Sequence, residues 1–336
     1  MTTNANMDLD SIIQALAKHF GEAVIATQDS QDFIRSLGQE PNKYYLDLRT
    51  RFRAGHGKLC FANVDQFAGN GSSFGSESTK VEEIVESERD IEKRINARFN
   101  ALDIMARATA KGINRALIIS GPAGLGKTVG VERAAAEIAG DYEHIKGYIR
   151  PTGLFKMLYK NRHKGSLLVL DDLDSLFSEE TSLNILKSAC DSNDVRKISW
   201  LSNTVMEDED GEEIPSSFIF EGSIIFITNI DFQQQIDRGS KMAPHFEALI
   251  SRSHVLDLGI KNKRDYIVRI KQVLRAGMLD GVLAADDKTE IVAFIEDNMN
   301  QMRELSLRMV KKLADLMLMD RAGWKDLAAI TCMKNR

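Results

Sequence analysis

Cysteine is scarce in this chain. Cys60, Cys190 and Cys332 are the only three in 336 residues, they lie far apart, and none forms a CxxC pair. This excludes a disulfide framework and a multi-cysteine zinc site, and leaves reduced core or surface thiols. The six histidines show no metal-ligand spacing. No apolar run approaches the length that crosses a bilayer, and Met1–Asp10 lacks the apolar stretch of a secretory signal. A cytoplasmic protein without membrane contact is therefore expected. A large excess of one charge is missing too. The net charge of −5 does not suggest a constitutive nucleic-acid binder, although a local basic patch could override it. At 43% hydrophobic and 28% charged, the composition is ordinary globular usage, and the length permits one large unit or two to three domains.

Three short stretches carry the chemistry. Arg115–Ser120, apolar in its middle, reads as a strand running into Gly121-Pro122-Ala123-Gly124-Leu125-Gly126-Lys127-Thr128, and the residues from Val129 onward read as a helix. Gly121, Gly124 and Gly126 let the backbone curl so that successive N–H groups face one anion, with the helix N-terminus behind them. Lys127 is expected to reach the β- and γ-phosphates of a nucleotide, and the Thr128 hydroxyl to ligate Mg²⁺. The loop from Gly121 through Val129 is read as cofactor-binding. Next, Ser166–Leu170 is a continuous apolar run, as in a parallel strand buried on both faces, and it ends in Asp171-Asp172-Leu173-Asp174. Asp171 is placed to bind the metal, Asp172 to orient or deprotonate water, and Asp174 reads as a helix N-cap. Last, Ile224-Ile-Phe-Ile-Thr-Asn229 sets a polar amide at a third strand end. Together these point to binding and hydrolysis of ATP with Mg²⁺.

Over roughly Val81–Trp324 the chain resembles the AAA+ ATPases, with a flavour of those carried by phages and plasmids. The resemblance implies an α/β core with a mostly parallel five-stranded sheet sandwiched by helices, a small C-terminal all-α lid, and a small N-terminal domain. It assigns Asn229 to the family's sensor-1 position. Arg252, in Leu249-Ile-Ser-Arg-Ser, looks like the arginine that such proteins insert into a neighbour's site, with Arg238 as competitor. Arg308, following the N-cap residue Ser306, looks like the nucleotide-sensing arginine of the lid, with Arg303 as competitor. The match departs from the usual pattern at Asp172, where most members carry Glu. The resemblance also implies a homo-oligomeric ring, most simply a hexamer, with ATP at subunit interfaces.

The organisation read from composition is an N-terminal domain over 1–68 for substrate or partner recognition, a Gly/Ser-rich linker over 69–80, the ATPase core over 81–259, and the helical lid over 260–336. Val81, Ile84, Val85, Ile91, Ile95 and Phe99 fall near helical spacing and predict a long amphipathic helix leading into the core. Between Asp171 and Asn229, the alternating segments Lys197–Asn203 and Ile214–Phe220 predict a hairpin. Its tip holds six acids around Asp210-Gly211, a tight-turn pair. Such a tip repels phosphate; the plainer reading is a solvated loop. Gly147-Tyr148-Ile149 reads as part of a strand, which leaves no substrate-gripping loop and argues for a switch, loader or local remodeller over a processive unfoldase. Arg49, Arg51 and Arg53, with Tyr44, Tyr45 and Lys58 nearby, would share one face of a strand and suit single-stranded nucleic acid. The plainer reading is a charged solvent face over a small core.

The functional expectation is an AAA+ ATPase that remodels or loads a macromolecular client, with a protein client slightly favoured. The alternatives are a nucleic-acid-stimulated motor or loader in phage or plasmid replication or packaging, and an ATP-gated scaffold that barely hydrolyses.

Overall fold

The computed structural model describes residues 7–20, 24–41, 43–44, 47–48, 52–55, 58–61, 86–138, 142–201, 205–208, 210–260 and 262–334. The expected linker, the Val81, Ile84 and Val85 positions, and Arg49, Arg51 and Tyr45 lie outside them. The chain divides into two units, Met1–Glu83 and Ile84–Arg336.

The first unit contains α1 (Leu9–Phe20), β1 (Val24–Ala26), α2 (Thr27–Ser36), β2 (Arg53–Gly55) and β3 (Lys58–Cys60). Its three strands form an antiparallel sheet in the order β1-β3-β2. A compact apolar cluster holds it together, with Ile12, Leu16, Ile34, Leu48 and Leu59 all nearly inaccessible. Tyr44 belongs to this core, and its hydroxyl donates to the Met7 carbonyl at 2.7 Å. Burial withdraws that ring from any base-stacking role. Among the described residues of the basic cluster, Arg53 lies in β2 and Lys58 in β3, while Lys43–Tyr44 and Asp47–Leu48 are helical. The strand face expected for three arginines falls largely outside the described residues, because of the three only Arg53 is described, at the start of β2.

The second unit opens with α3 (Glu88–Ala110). The helix starts where Ser87 accepts the Asp90 N–H on its hydroxyl, and the acids Glu88 and Asp90 sit in its first turn, where the helix dipole favours them. The alternating part follows: β4 (Ala116–Ser120), α4 (Lys127–Ile138), β5 (Glu143–Lys146), α5 (Pro151–Lys160), β6 (Leu167–Asp171), α6 (Glu180–Ala189), β7 (Lys197–Ser199), β8 (Met206–Glu207), β9 (Glu213–Ile214), β10 (Ser217–Ile219), β11 (Ser223–Thr228), α7 (Phe232–Asp237), α8 (Ala243–Arg252) and β12 (His254–Asp257). Four helices complete it: α9 (Lys263–Arg275), α10 (Ala285–Asn298), α11 (Leu307–Met319) and α12 (Trp324–Thr331).

Five strands make one parallel sheet in the order β12-β4-β11-β6-β5. Every residue of β4, β6 and β11 is buried, which is why these strands read as unbroken apolar runs. The register fixes what the strand ends present. Thr228 lies beside Ser120, Ile227 beside Asp171, and Lys146 beside Asp171. The polar residues that end the three central strands thus fall in a row at one edge, the position where open parallel sheets bind ligands.

The acidic hairpin forms, but in two pieces. β7 pairs with β10 and β8 with β9, both antiparallel. The turn is wider than an Asp-Gly two-residue turn: it spans 208–212, and the Asp208 carboxylate accepts the N–H groups of Asp210 and Glu212. A second difference lies after β5. That strand ends at Lys146, so Gly147-Tyr148-Ile149 is a connecting loop with Tyr148 69% exposed. Gly147 has φ +104°, a conformation that breaks the strand at this point. The expectation that this tripeptide belongs to the strand is wrong, and the objection to a gripping loop drawn from it lapses.

The C-terminal helices build their own core around Trp324, which packs on Phe294 with ring centroids 4.9 Å apart. They are tied to the sheet through α3. Arg94 donates to the Gly259 carbonyl at 2.7 Å and to the buried Asp265 carboxylate at 2.8 Å. Beside this pair, Ile91, Ile95, Leu125, Ile260 and Val268 form one apolar cluster that joins α3, the glycine loop and α9. Ile95 is fully buried there. Truncation of a buried isoleucine removes its transfer energy and leaves a cavity. Ile95→Ala should lower unfolding free energy by about 2–4 kcal/mol in urea titration, whereas truncating the exposed Ile113 should change it by less than ~0.5 kcal/mol.

Candidate functional site

The loop between β4 and α4 is shaped by backbone freedom. Gly121, Gly124 and Gly126 have φ of +146°, +73° and +92°, values that side chains disfavour. Gly124 is also closed off in space. A Cβ there would stand 2.7 Å from Ser306 Cβ, and the Gly124 carbonyl accepts the Leu307 N–H at 2.8 Å. The start of α11 therefore rests directly on the loop. Leu125 anchors the loop in the core, and Ala123 and the exposed Val129 line its open side.

Lys127 is the hub. Its ammonium is nearly buried and donates to the Gly121 carbonyl, to the Pro122 carbonyl at 3.0 Å, and to Asn229 Oδ1 at 2.8 Å. Asn229 in turn donates from Nδ2 to Asp172 Oδ1 at 2.9 Å. One amide therefore bridges the cation to a carboxylate, and three strand ends join in a single chain of hydrogen bonds. Asp172 adopts φ +55°, a region that Asp tolerates better than most residues. Its N–H donates to the Ile227 carbonyl at 3.0 Å, which pins the turned backbone to β11.

Asp171 sits beside this chain and is buried. Its Oδ2 accepts from Thr128 Oγ1 at 3.0 Å and lies 3.3 Å from His144 Nε2 and 3.6 Å from Lys146 Nζ. Its Oδ1 is buried without a hydrogen-bond partner. A buried carboxylate oxygen with no partner is costly, and a cation is the natural one to satisfy it. Among the described residues, no cluster of three or more His, Cys, Asp or Glu side chains is arranged to cage a metal. The donor set, one carboxylate and one hydroxyl beside an anion cradle, fits Mg²⁺ held partly by phosphates rather than by an all-protein cage.

One sequence expectation changes. Asp174 is not an N-cap: it lies inside a 3₁₀ turn (Asp174–Ser178), and its Oδ1 accepts the Thr228 hydroxyl at 2.6 Å, bracing β6 against β11. Arg303 turns away from the loop and donates from Nε to the Met333 carbonyl at 2.8 Å, whereas Arg308 lines the same cleft as Lys127. Arg252 does not line that cleft. It ends α8, donating to the Ala248 carbonyl at 2.8 Å, with Nε 4.0 Å from Asp191. Arg238 is the residue just past α7.

The cleft has a volume of 1020 Å³, at the upper limit of ordinary small-molecule and cofactor sites. Its far wall comes from Asn96, Phe99 and Asn100 of α3 and from Arg269, Gln272 and Val273 of α9. None of these, nor His144 and Lys146 near Asp171, is visible as a motif in the sequence. Helix–helix packing brings the first set to the loop, and β5–β6 pairing brings the second. The available signal was weak: the end of β5 had to lie next to the end of β6.

A glycine loop between a central parallel strand and a helix, carboxylates ending the adjacent strand, a strand-end amide joining them, and a helical unit seated on the loop are the features on which the sequence resembles the AAA+ ATPases. The chain belongs to the same family as the uncharacterized 36.7 kDa protein of the nrdC–mobD intergenic region of enterobacteria phage T4. The two are 39% identical over 263 residues, spanning 76% of this chain and 80% of the phage protein. No protein-family model matches the chain. Solved structures with some likeness include domain III of the Thermotoga maritima replication initiation protein DnaA (TM-score 0.45, 13% identity, 71% of this chain and 92% of that one). Others are a T. maritima RuvB mutant (0.38, 15%, 70% and 65%) and Brucella abortus NtrX in complex with ATP (0.39, 15%, 66% and 49%). The chain thus spans just under two thirds of RuvB and about half of NtrX.

Burial pushes the Lys127 ammonium down to about 8, against the attraction of Asp172, Asp171 and Asp174. The sign of the linkage is set by that depression. Between about pH 8 and the ordinary lysine value the unfolded chain binds the proton more tightly, so folded stability gains as pH rises through this window. Without nucleotide, the stability of wild type relative to Lys127→Met should increase from pH 7.5 to 10, read as urea midpoints. A gap that stays constant with pH would show that Lys127 titrates normally.

Proposed function

We propose that this protein binds ATP with Mg²⁺ in the cleft and hydrolyses it, acting as one subunit of a homo-oligomeric ring, most simply a hexamer, that remodels a macromolecular client. The observation that supports this best is the linked set Lys127–Asn229–Asp172 beside Thr128–Asp171, all at the loop-bearing edge of the sheet. The loop from Gly121 to Val129 cradles the phosphates with its N–H groups, and Lys127 meets their terminal oxygens. Thr128 and Asp171 hold the metal, which when bound neutralises charge on the phosphates and orients them. Asp172, fixed by Asn229, orients the attacking water and takes up its proton. Arg308 reaches the phosphates from the lid side. Arg252, at the end of α8 and away from its own cleft, is offered to a neighbouring subunit, where its charge offsets that developing on the γ-phosphate.

A protein client is favoured by the hairpin. Glu207, Asp208, Asp210, Glu212 and Glu213 crowd one short turn and strand pair, a surface that repels nucleic-acid phosphates. Among the described residues no helix is long and apolar enough to cross a membrane. In the domain plan proposed here, 1–68 recognises the client, 81–259 is the ATPase core and 260–336 is the lid.

Steady-state phosphate release tests the reading. Wild type should turn over ATP, and Lys127→Ala should lose at least ~100-fold. Single-stranded DNA, duplex DNA and RNA should each leave the rate within about twofold, since none is the client. Strong stimulation by one of them would transfer the assignment to a nucleic-acid motor. Asp172→Glu separates a scaffold from an engine: a large rise in rate would mark the natural Asp172 as a brake on turnover.

A further inference from the structure

Among the described residues, Arg269 is a cation in the cleft without an anionic partner. It projects from α9, stacks on the Phe99 ring at 3.3 Å, and donates from Nε to the Leu125 carbonyl at 3.3 Å. Its Nη2 lies 3.7 Å from where a Cβ on Gly126 would stand, so the guanidinium edge faces the segment of the loop that cradles phosphate. Arg133, on the same cleft, is paired with Asp103 at 3.1 Å, whereas among the described residues Arg269 forms no ion pair. Burial lowers it to about 10, with no carboxylate holding it up. One carbonyl and one ring leave most of the five N–H donors of a guanidinium unused, and a desolvated cation without an anion destabilises the fold that holds it. A side chain so placed is explained by an anion that arrives with the ligand.

We propose that Arg269 binds a phosphate oxygen of the nucleotide, as a second lid-borne cation beside Arg308. The inference rests on the cleft being a nucleotide site. The bond also links occupancy to lid position, because α9 carries Arg269 while the start of α11, through Leu307, grips Gly124 of the same loop. Two helices of the lid then meet the loop at adjacent residues, and the anion completes the contact of one of them.

The test uses wild type, Lys127→Ala and Arg269→Met. Met keeps apolar packing on Phe99 and removes the charge. Binding is read by displacement of a fluorescent ADP derivative with ADP and with inorganic pyrophosphate, and fold by the ligand-free melting temperature. Arg269→Met should weaken ADP and pyrophosphate by the same factor, tenfold or more, while its ligand-free melting temperature stays equal to or above wild type. That rise or constancy is the signature of an unpaired cation, since a structural arginine would lower it. Unchanged ADP affinity in Arg269→Met, with binding lost in Lys127→Ala, would overturn this inference alone. A loss for ADP but not for pyrophosphate would reassign Arg269 to the base and overturn it as well. Failure of the wild type to bind ADP at all would overturn both this and the nucleotide reading.

Discussion

The site depends on one constraint, the insertion of β11 between β4 and β6. β11 pairs in parallel on both sides, Ile224–Thr228 with Ala116–Ser120 and Ser223–Ile227 with Leu167–Asp171, and this register decides which strand ends meet. With the register set, Ser120 finishes level with Thr228 and Asp171 with Ile227, one residue earlier, and the residues that follow them must meet. The glycine loop, the two carboxylates and Asn229 are consequences of that convergence. Lys127 supplies the charge that holds them, and Asn229 a side-chain amide that accepts on one atom and donates from the other, which lets it stand between a cation and a carboxylate.

That arrangement keeps buried charges balanced at some cost. Lys127 is desolvated enough to lower its proton affinity, Asp172 holds an unusual backbone angle, and Asp171 retains one buried oxygen with no partner. Such departures from local preference cluster where function is built rather than where stability is. Stability is supplied elsewhere, by the sheet and by the separate apolar core around Trp324. The two are coupled through α3, whose Arg94 and Ile95 hold α9 close to the loop.

The sequence made the nearer parts of this legible. Each strand of the central triad is an uninterrupted apolar run, and each ends in a residue type with a chemical reason to be there, so loop, carboxylates and amide could be read directly. Ser306 as a cap, and with it the position of Arg308, followed from local capping chemistry. What could not be read depends on long-range packing. Phe99 and Arg269 lie far apart in the chain and touch only because α9 packs on α3. Asp174 looked like a cap because its partner, Thr228, comes from another strand. The Gly147–Ile149 tripeptide carries strand-like residues, and its turn is decided by the backbone angle at Gly147, which composition does not reveal. At the hairpin, Asp208 closes a wider turn with its own side chain, and this outweighs the preference of Asp-Gly for a two-residue turn.

The central claim is that Asn229 acts on chemistry through Asp172 rather than as an independent contact. A double-mutant cycle on ATP turnover tests it most directly, comparing Asn229→Ala, Asp172→Asn and the pair with wild type. If the account is right, each single change lowers the rate steeply and the double variant is no slower than Asp172→Asn alone, because the amide has nothing left to orient. Losses that multiply in the double variant, or an Asn229→Ala protein that turns over ATP normally, would contradict it.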